Sequence, residues 1–145
     1  MEPVSAKDFD PLIREIVWRF GARGLEGQCC GELSPPEFRA LLTASDQHEC
    51  SMQEIAHRLG FTKSGATRVV DRLEKKGMVQ RMRSPEDGRV CCVEVTPSGK
   101  ALVNTVTLEN EERIAKILSK MDPSMQQVVQ ASLQSFVHAI NEEKA

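Results

Sequence analysis

Between residues 51 and 77 the chain carries two short helix signals in immediate succession. Ser51, followed three residues later by Glu54, forms a capping box that opens a short helix ending at Gly60. Thr62 caps the next helical segment, which ends at Gly77. Because the turn between these two helices is so tight, the pair is predicted to form a helix-turn-helix.

A hairpin signal follows the second of these helices. Two short runs, residues 78–83 and 89–95, flank a turn that contains Asp87 and Gly88. An Asp-Gly pair between two such runs is typical of a β-hairpin. A hairpin in this position makes a wing, so residues 34–96 are predicted to form a winged helix-turn-helix lobe.

Two further helices are predicted before the helix-turn-helix. Asp10 and Pro11 have the residue types of an N-cap and a first helical position, and Gly21 ends the helix that they would begin. Ser34 and Glu37 form a capping box around two prolines, which is typical of another helix start.

Two long helices are predicted after the hairpin. Thr96 and Pro97 cap one that extends to about residue 120, and Asp122-Pro123 begins the last. The predicted fold class is therefore mainly α, a winged helix-turn-helix with flanking N- and C-terminal dimerisation helices. Residues 1–33 and 97–145 would form the helical dimerisation region around the lobe.

The last helix carries a continuous apolar stripe, which motivates the expectation of a homodimer. A second copy of the chain would bury this stripe in an obligate interface of about 2,000 Å² or more. If such a dimer binds DNA, its twofold symmetry would demand a pseudo-palindromic operator. The alternative is that the stripe belongs to an intramolecular core. The stripe consists of Val129, Leu133, Phe136, Val137 and Ile140.

Positive charge is concentrated in one block, although the net charge of the chain is −2. Residues 58–89 hold nine Lys and Arg against four Asp and Glu, whereas residues 1–57 hold five against ten. A local basic block with acidic surroundings is typical of a surface that binds phosphate and orients DNA. On charge alone, a solvated charged helix is an equal alternative.

The second helix of the motif is predicted to enter a DNA major groove. Its helical period places Ala66, Val69, Val70 and Leu73 inward and leaves a polar face outward. An outward arginine can contact guanine with two hydrogen bonds, and short hydroxyls can reach base edges or phosphates. The candidate DNA contacts in this segment are Thr62, Lys63, Ser64, Thr67, Arg68 and Arg72.

Gly65, within the same helix, has two equally weighted explanations. A glycine inside a helix costs about 1 kcal/mol relative to alanine, so its presence needs a reason. Close approach of the backbone to DNA is one reason, and close helix–helix packing is the other.

The hairpin tip is predicted to enter the minor groove. Its candidate contacts are Arg83, Asp87 and Arg89. A thin arm ending in arginine suits the narrow, electronegative minor groove. The Asp87 carboxylate would hold the Arg89 guanidinium in an extended pose, or it is simply the turn residue before glycine.

These motifs together resemble the MarR (multiple antibiotic resistance regulator) family. The resemblance is carried by the stretch from Ser51 to Arg81, by the wing 83–89 with its Asp-x-Arg pattern, and by the following Val-Thr-Pro-Ser-Gly. It covers residues 34–102 closely. Pro85 and Gly88 depart from the further charged residues that many relatives carry in the wing.

The resemblance implies an obligate dimer that places two recognition helices in successive major grooves. It also implies a repressor that a small ligand or thiol oxidation releases from DNA. The residues carried over from the family pattern are Ser64, Thr67, Arg68, Asp87 and Arg89.

Two kinds of effector site remain open. Cys29 and Cys30 are candidate sensor thiols for an oxidant, a soft metal or a metalloid, although their surroundings fit no standard metal site. The alternative is an organic ligand in a cleft that Arg14 and Trp18 of the first helix would line. No cofactor is expected to be required, and the identity of any metal is left open.

Other function classes are less well supported. The sequence shows no nucleophile elbow, phosphate-binding loop or zinc-hydrolase motif, so an enzyme is not expected. A winged-helix protein-interaction module without DNA specificity is the alternative function. Without a long apolar run or a signal peptide, the protein is expected in the cytoplasm and away from membranes.

Overall fold

The computed structural model describes residues 1–21, 32–47, 50–83, 86, 88–89 and 91–143. The helices in these ranges are α1 (Ala6–Phe20), α2 (Pro35–Asp46), α3 (Met52–Leu59), α4 (Lys63–Lys75), α5 (Pro97–Leu118) and α6 (Pro123–Glu143). The strands are β1 (Cys50–Ser51), β2 (Val79–Arg83) and β3 (Cys91–Val95). The prediction of a mainly α winged helix-turn-helix is confirmed.

Two compact units divide the chain, Met1–Thr107 and Leu108–Ala145. The boundary between them falls inside α5, whereas the predicted domain boundaries separate a DNA-binding lobe from a dimerisation region. That functional division stays a prediction. Among the described residues, no helix is long and apolar enough to cross a membrane.

The core of the first unit lies between α2, α3, α4 and the sheet. Its largest fully buried side chains are Leu41 of α2, Ile55 of α3, Val70 and Leu73 of α4, and Val93 of β3. On α4 the buried residues recur at helical spacing, so this helix turns one apolar face inward, whereas β3 buries the adjacent Cys92 and Val93. The core therefore fixes the rotation of α4 about its axis.

The sheet has the strand order β1-β3-β2, with antiparallel neighbours. The hairpin was predicted, and in the pairing of β2 with β3 Val79 lies opposite Val95 and Arg83 opposite Cys91. Strand β1 was not predicted, because two residues are too few to produce a period. It pairs Cys50 with Val93 and thereby ties the start of α3 to the base of the hairpin.

Side-chain caps begin the helices of the motif as predicted. The Ser51 Oγ accepts a hydrogen bond from the Glu54 N–H at 3.1 Å, and the Thr62 Oγ1 accepts one from the Gly65 N–H at 3.1 Å. Gly60, between the helices, has φ of 66°, a left-handed conformation that glycine adopts without strain. The tight turn of the motif depends on this residue.

The predicted start of the first helix is wrong. The N-cap of α1 is Ser5, whose Oγ accepts a hydrogen bond from the Lys7 N–H at 3.3 Å. Pro11 therefore lies inside α1, where its nitrogen cannot donate to the Lys7 carbonyl. Asp10 instead pairs with Arg14 at 2.6 Å, one turn along the helix. The earlier cap adds a whole helical turn, which compensates for the one missing hydrogen bond.

Candidate nucleic-acid interface

Helix α4 presents a polar face to solvent and an apolar face to the core, as its periodicity predicts. Ala66, Val69, Val70 and Leu73 are buried. Thr67 is half-buried, and the exposed residues of the outward face are Lys63, Ser64, Arg68, Asp71 and Arg72. The cations and hydroxyls expected to contact DNA therefore lie on the side of the helix that another molecule can reach.

The hydroxyl groups at the start of α4 are already engaged within the helix. The Thr62 Oγ1 lies 3.2 Å from the Ser64 Oγ, in addition to accepting the Gly65 N–H. The Thr67 Oγ1 donates to the Lys63 carbonyl at 2.8 Å. Because its hydrogen is used in this bond, the Thr67 hydroxyl offers a second molecule mainly acceptor lone pairs and its methyl group.

The structure offers a local reason for Gly65, different from the two that the sequence suggests. A Cβ atom at this position would lie 3.2 Å from the Thr62 Oγ1 and 3.6 Å from the Phe61 Cβ. Glycine thus leaves room for the side chain that caps its own helix.

The wing extends beyond the paired ends of β2 and β3. Arg83, the last residue of β2, and Arg89, in the turn, are both exposed. Asp87 lies outside the described residues, so its predicted contact with Arg89 stays a prediction. Exposed Glu86 lies at the same end of the hairpin, and the minor-groove role of the two arginines stays a prediction.

Arg81 of β2 joins the wing to α4, a role that was not predicted. Its guanidinium forms ion pairs with Asp71 and with Glu74, the latter at 3.1 Å. Burial alone would lower the pKa of Arg81, but the hydrogen bond and charge of Asp71 and the charge of Glu74 outweigh it and raise that pKa. The sequence signal that could have indicated this role is the pair of acids three residues apart on the outward face of α4, followed by an arginine on the next strand.

An ion pair between Lys76 and Glu37 joins α4 to α2. Glu37, 3% exposed, accepts a hydrogen bond from the Lys76 Nζ at 2.8 Å and one from the Ser34 N–H at 3.2 Å. Burial alone would raise the pKa of Glu37. These bonds and the charges of Lys76 and Arg72 lower it by more, so the net shift of the pKa is downward. Lys76 thus ties the end of α4 to the start of α2.

Comparison with known proteins decides the identity of this fold. The model of the MarR family matches residues 33–91, which include the helix-turn-helix and the wing. Residues 33–91 thus resemble the DNA-binding part of MarR-family regulators, and curated relatives of the chain are named as HTH-type transcriptional regulators. The transcriptional repressor MprA of Escherichia coli K12 is 35% identical over 71 residues, which are 48% of this chain and 40% of MprA. The alignment with MprA therefore covers less than half of either protein.

Solved structures match nearly the whole chain. A MarR family protein from Bacillus stearothermophilus has a TM-score of 0.82 at 21% identity, covering 97% of this chain and 99% of that one. Streptococcus pneumoniae FabT, in complex with DNA, has a TM-score of 0.79 at 17% identity, with coverages of 95% and 99%. At these identities the likeness shows a common fold that includes the flanking helices.

The family-model match and the relatives named as transcriptional regulators support the prediction of a DNA-binding transcription regulator. The alternative of a protein-interaction module without DNA specificity is not supported. The family consists of transcription regulators, which agrees with the expectation that the chain is not an enzyme.

The structure describes only some of the candidate sensor residues. Cys29 and Cys30 lie outside the described residues. Arg14 and Trp18 line an open groove of 940 Å³ along one flank of α1, together with apolar neighbours that include Ile13 and Val17. The same groove is lined by the Glu15 carboxylate, and Arg14 is paired with Asp10, so the ligand that it would bind stays a prediction.

The described cysteines are a poorer match to a sensor. Cys50, Cys91 and Cys92 are free thiols, and Cys50 and Cys92 are buried. Burial, with the nearby Glu54 and Cys92, raises the pKa of the Cys50 thiol to about 11, so it remains protonated and unreactive at neutral pH. Within the described ranges, no group of three or more His, Cys, Asp and Glu side chains is placed to hold a metal.

Proposed function

We propose that this regulator is a cytoplasmic homodimeric repressor that binds a pseudo-palindromic operator and leaves it when an effector binds. The observation that carries the proposal is the orientation of α4. Its buried face fixes the helix in the core, and its outward face presents exposed Lys63, Arg68 and Arg72. A helix held in this way can present the same side chains to a major groove in every encounter.

Each candidate contact takes a role that its chemistry allows. Arg68 would contact guanine, while Ser64 and Thr67 would contact base edges. Thr62, Lys63 and Arg72 would contact phosphates through a helix start and through positive charge. Arg83 and Arg89 of the wing would reach the adjacent minor groove.

The flanking helices support the homodimer. Neither α1 nor α6 contains a buried residue in the single chain. Leu133 and Val137 of the predicted stripe are 48% and 53% exposed, so the alternative of an intramolecular core for this stripe is not supported. Exposed apolar faces of this extent are typical of a surface that a second copy covers.

Repression follows from occupancy of the operator by such a dimer. A dimer that fills successive major grooves blocks access of other proteins to the same DNA. We propose two candidate effectors for its release, an amphipathic organic anion beside Arg14 and Trp18, and an oxidant, soft metal or metalloid at Cys29 and Cys30. The described residues favour neither effector, because Glu15 also lines the α1 groove and Cys29 and Cys30 lie outside the described ranges.

Selection of operator sequences from random duplexes, followed by Arg68→Ala, tests this proposal. The variant should bind the selected operator about 5- to 150-fold more weakly, because a bidentate guanine contact contributes about 1–3 kcal/mol of discrimination. Arg39→Ala is the matched control, since Arg39 is an exposed arginine of α2. An equal loss on every duplex would contradict base recognition by Arg68.

A further inference from the structure

We infer that Arg81 is a positioning residue for operator recognition, which holds the wing at a fixed angle to α4 without itself contacting DNA. The inference rests on the proposed DNA-binding function of this chain. Arg81 is a cation in the basic block, and the sequence alone suggests for it a phosphate contact or a solvated charge. The structure gives it protein partners instead.

The contacts of Arg81 reach α4 at three successive levels. Its Nη2 lies 3.5 Å from the Thr67 carbonyl oxygen and pairs with the Asp71 carboxylate, and its Nη1 donates to the Glu74 Oε1 at 3.1 Å. The spacing of these partners is one helical turn each, so a planar guanidinium lies along one face of the helix.

The strand itself is held as well as the side chain. The Arg81 backbone N–H donates to the Glu74 Oε2 at 3.1 Å. In the strand order β1-β3-β2, β2 is an edge strand, so this carboxylate satisfies a donor on its open side. Glu74 therefore binds both the backbone and the side chain of Arg81, which fixes the position of β2 relative to α4.

Arg81 also neutralises two carboxylates beside the DNA-binding face. The side chains of Asp71 and Glu74 are 52% and 44% exposed, whereas that of Arg81 is 27% exposed. The guanidinium is thus the least accessible member of the group. Exposed Arg83, two residues further along the same strand, is the better placed of the two to meet a phosphate.

Arg81→Lys separates positioning from phosphate binding, because lysine keeps the charge but loses the planar fork. We measure dissociation constants for the selected operator and for a random duplex across a salt series. Arg39→Lys is the control, since Arg39 is an exposed arginine of α2 outside the proposed DNA contacts and should keep both affinities. Arg81→Lys should weaken operator binding about tenfold through misplaced wing contacts. Binding of the random duplex and its salt dependence should stay unchanged, since no phosphate contact is lost. Operator affinity equal to wild type would overturn the inference.

Replacing the partners of Arg81 gives a second test in which the two accounts predict different results. The double variant Asp71→Ala with Glu74→Ala removes two exposed negative charges, so electrostatics alone predicts tighter binding of both duplexes and an unchanged affinity ratio. If Arg81 positions the wing, the affinity for the operator divided by that for the random duplex should fall at least threefold. This is the loss expected when one specific base contact is partly disrupted. Glu94→Ala, which removes a carboxylate of β3 that bonds to Gln80, should leave the ratio unchanged.

The wild-type selection separates failure of the inference from failure of the function. If wild-type protein enriches no operator, DNA recognition itself is contradicted. If wild type enriches an operator and the double variant keeps the wild-type ratio, Arg81 has no positioning role. Thermal unfolding of each variant verifies that the lobe is folded at the temperature of the binding measurements.

Discussion

The lobe from α2 to β3 and the flanking helices α1 and α6 use apolar residues for different ends. In the lobe, Leu41 and Ile55 are completely buried. In the flanking helices, Leu12 of α1 and Val137 of α6 are 61% and 53% exposed. Both regions have amphipathic helices, yet only the lobe covers its apolar faces within one chain.

In the proposed dimer, this difference separates what one chain specifies from what a second copy would complete. The lobe has its own core, capped helices and ion pairs, so it fixes the shape of one DNA-reading unit. The spacing of two such units would depend on α1 and α6, whose apolar faces are largely exposed in the part of the chain that the structure describes. We therefore expect substitutions in the lobe to change folding and substitutions in the stripe to change assembly.

Leu41→Ala should produce the largest effect on folding. Removal of a fully buried leucine leaves a cavity and lowers the free energy of unfolding by about 2–5 kcal/mol. Urea unfolding at several protein concentrations measures it, and the loss should be independent of concentration. The matched change Leu133→Ala lies in the exposed stripe, so its cost should depend on protein concentration. A loss below 1 kcal/mol for Leu41→Ala would contradict the assigned core.

Val137→Glu should separate the two copies. A charge in the middle of an apolar interface has no partner there, so the dimer should dissociate. Operator affinity should then fall about a hundredfold, because two linked contacts bind far more tightly than one. Sedimentation and operator binding measure the two effects together. Gln134→Glu adds the same charge at an exposed polar position, and an equal dissociation there would show that the stripe is not the interface.

Glu37→Gln should produce the smallest effect and one confined to the lobe. The folded-state pKa of Glu37 is lowered from 4.5, so its contribution is complete above that value and is lost as the pH falls through the lowered value. The variant should lose about 1 kcal/mol of unfolding free energy at pH 7. Its unfolding free energy should also change less than that of wild type as the pH falls. Urea unfolding at pH 7 and in acid measures it. Glu15→Gln, on exposed α1, removes a carboxylate from a surface ion pair and should change the unfolding free energy at pH 7 by less than about 0.5 kcal/mol.

Much of the fold was predictable from local signals. Caps such as Ser34 and Thr62 and stops such as Gly60 act within a few residues, so the sequence places them correctly. The inward face of α4 followed from its helical period. The outward candidates Lys63, Arg68 and Arg72 followed from the same period, although their roles on DNA stay predictions.

The features that were missed depend on contacts between distant residues. Strand β1 forms because Cys50 pairs with Val93 of β3, and a two-residue segment carries no local sequence pattern that predicts such a pairing. Arg81 and Lys76 resemble any other cation in a basic block until the fold brings carboxylates to them. The start of α1 was wrong because Ser5 and Asp10 are both competent caps, and the choice depends on the stability of one added turn.

Hydroxyl-radical footprinting of the selected operator tests most directly that α4 and the wing bind one duplex in duplicate. We predict two protected segments whose centres are about 10 base pairs apart, each from one recognition helix. Arg89→Ala should remove the protection adjacent to each segment while leaving the segments in place. A single protected segment, or uniform protection without a repeat, would contradict the account.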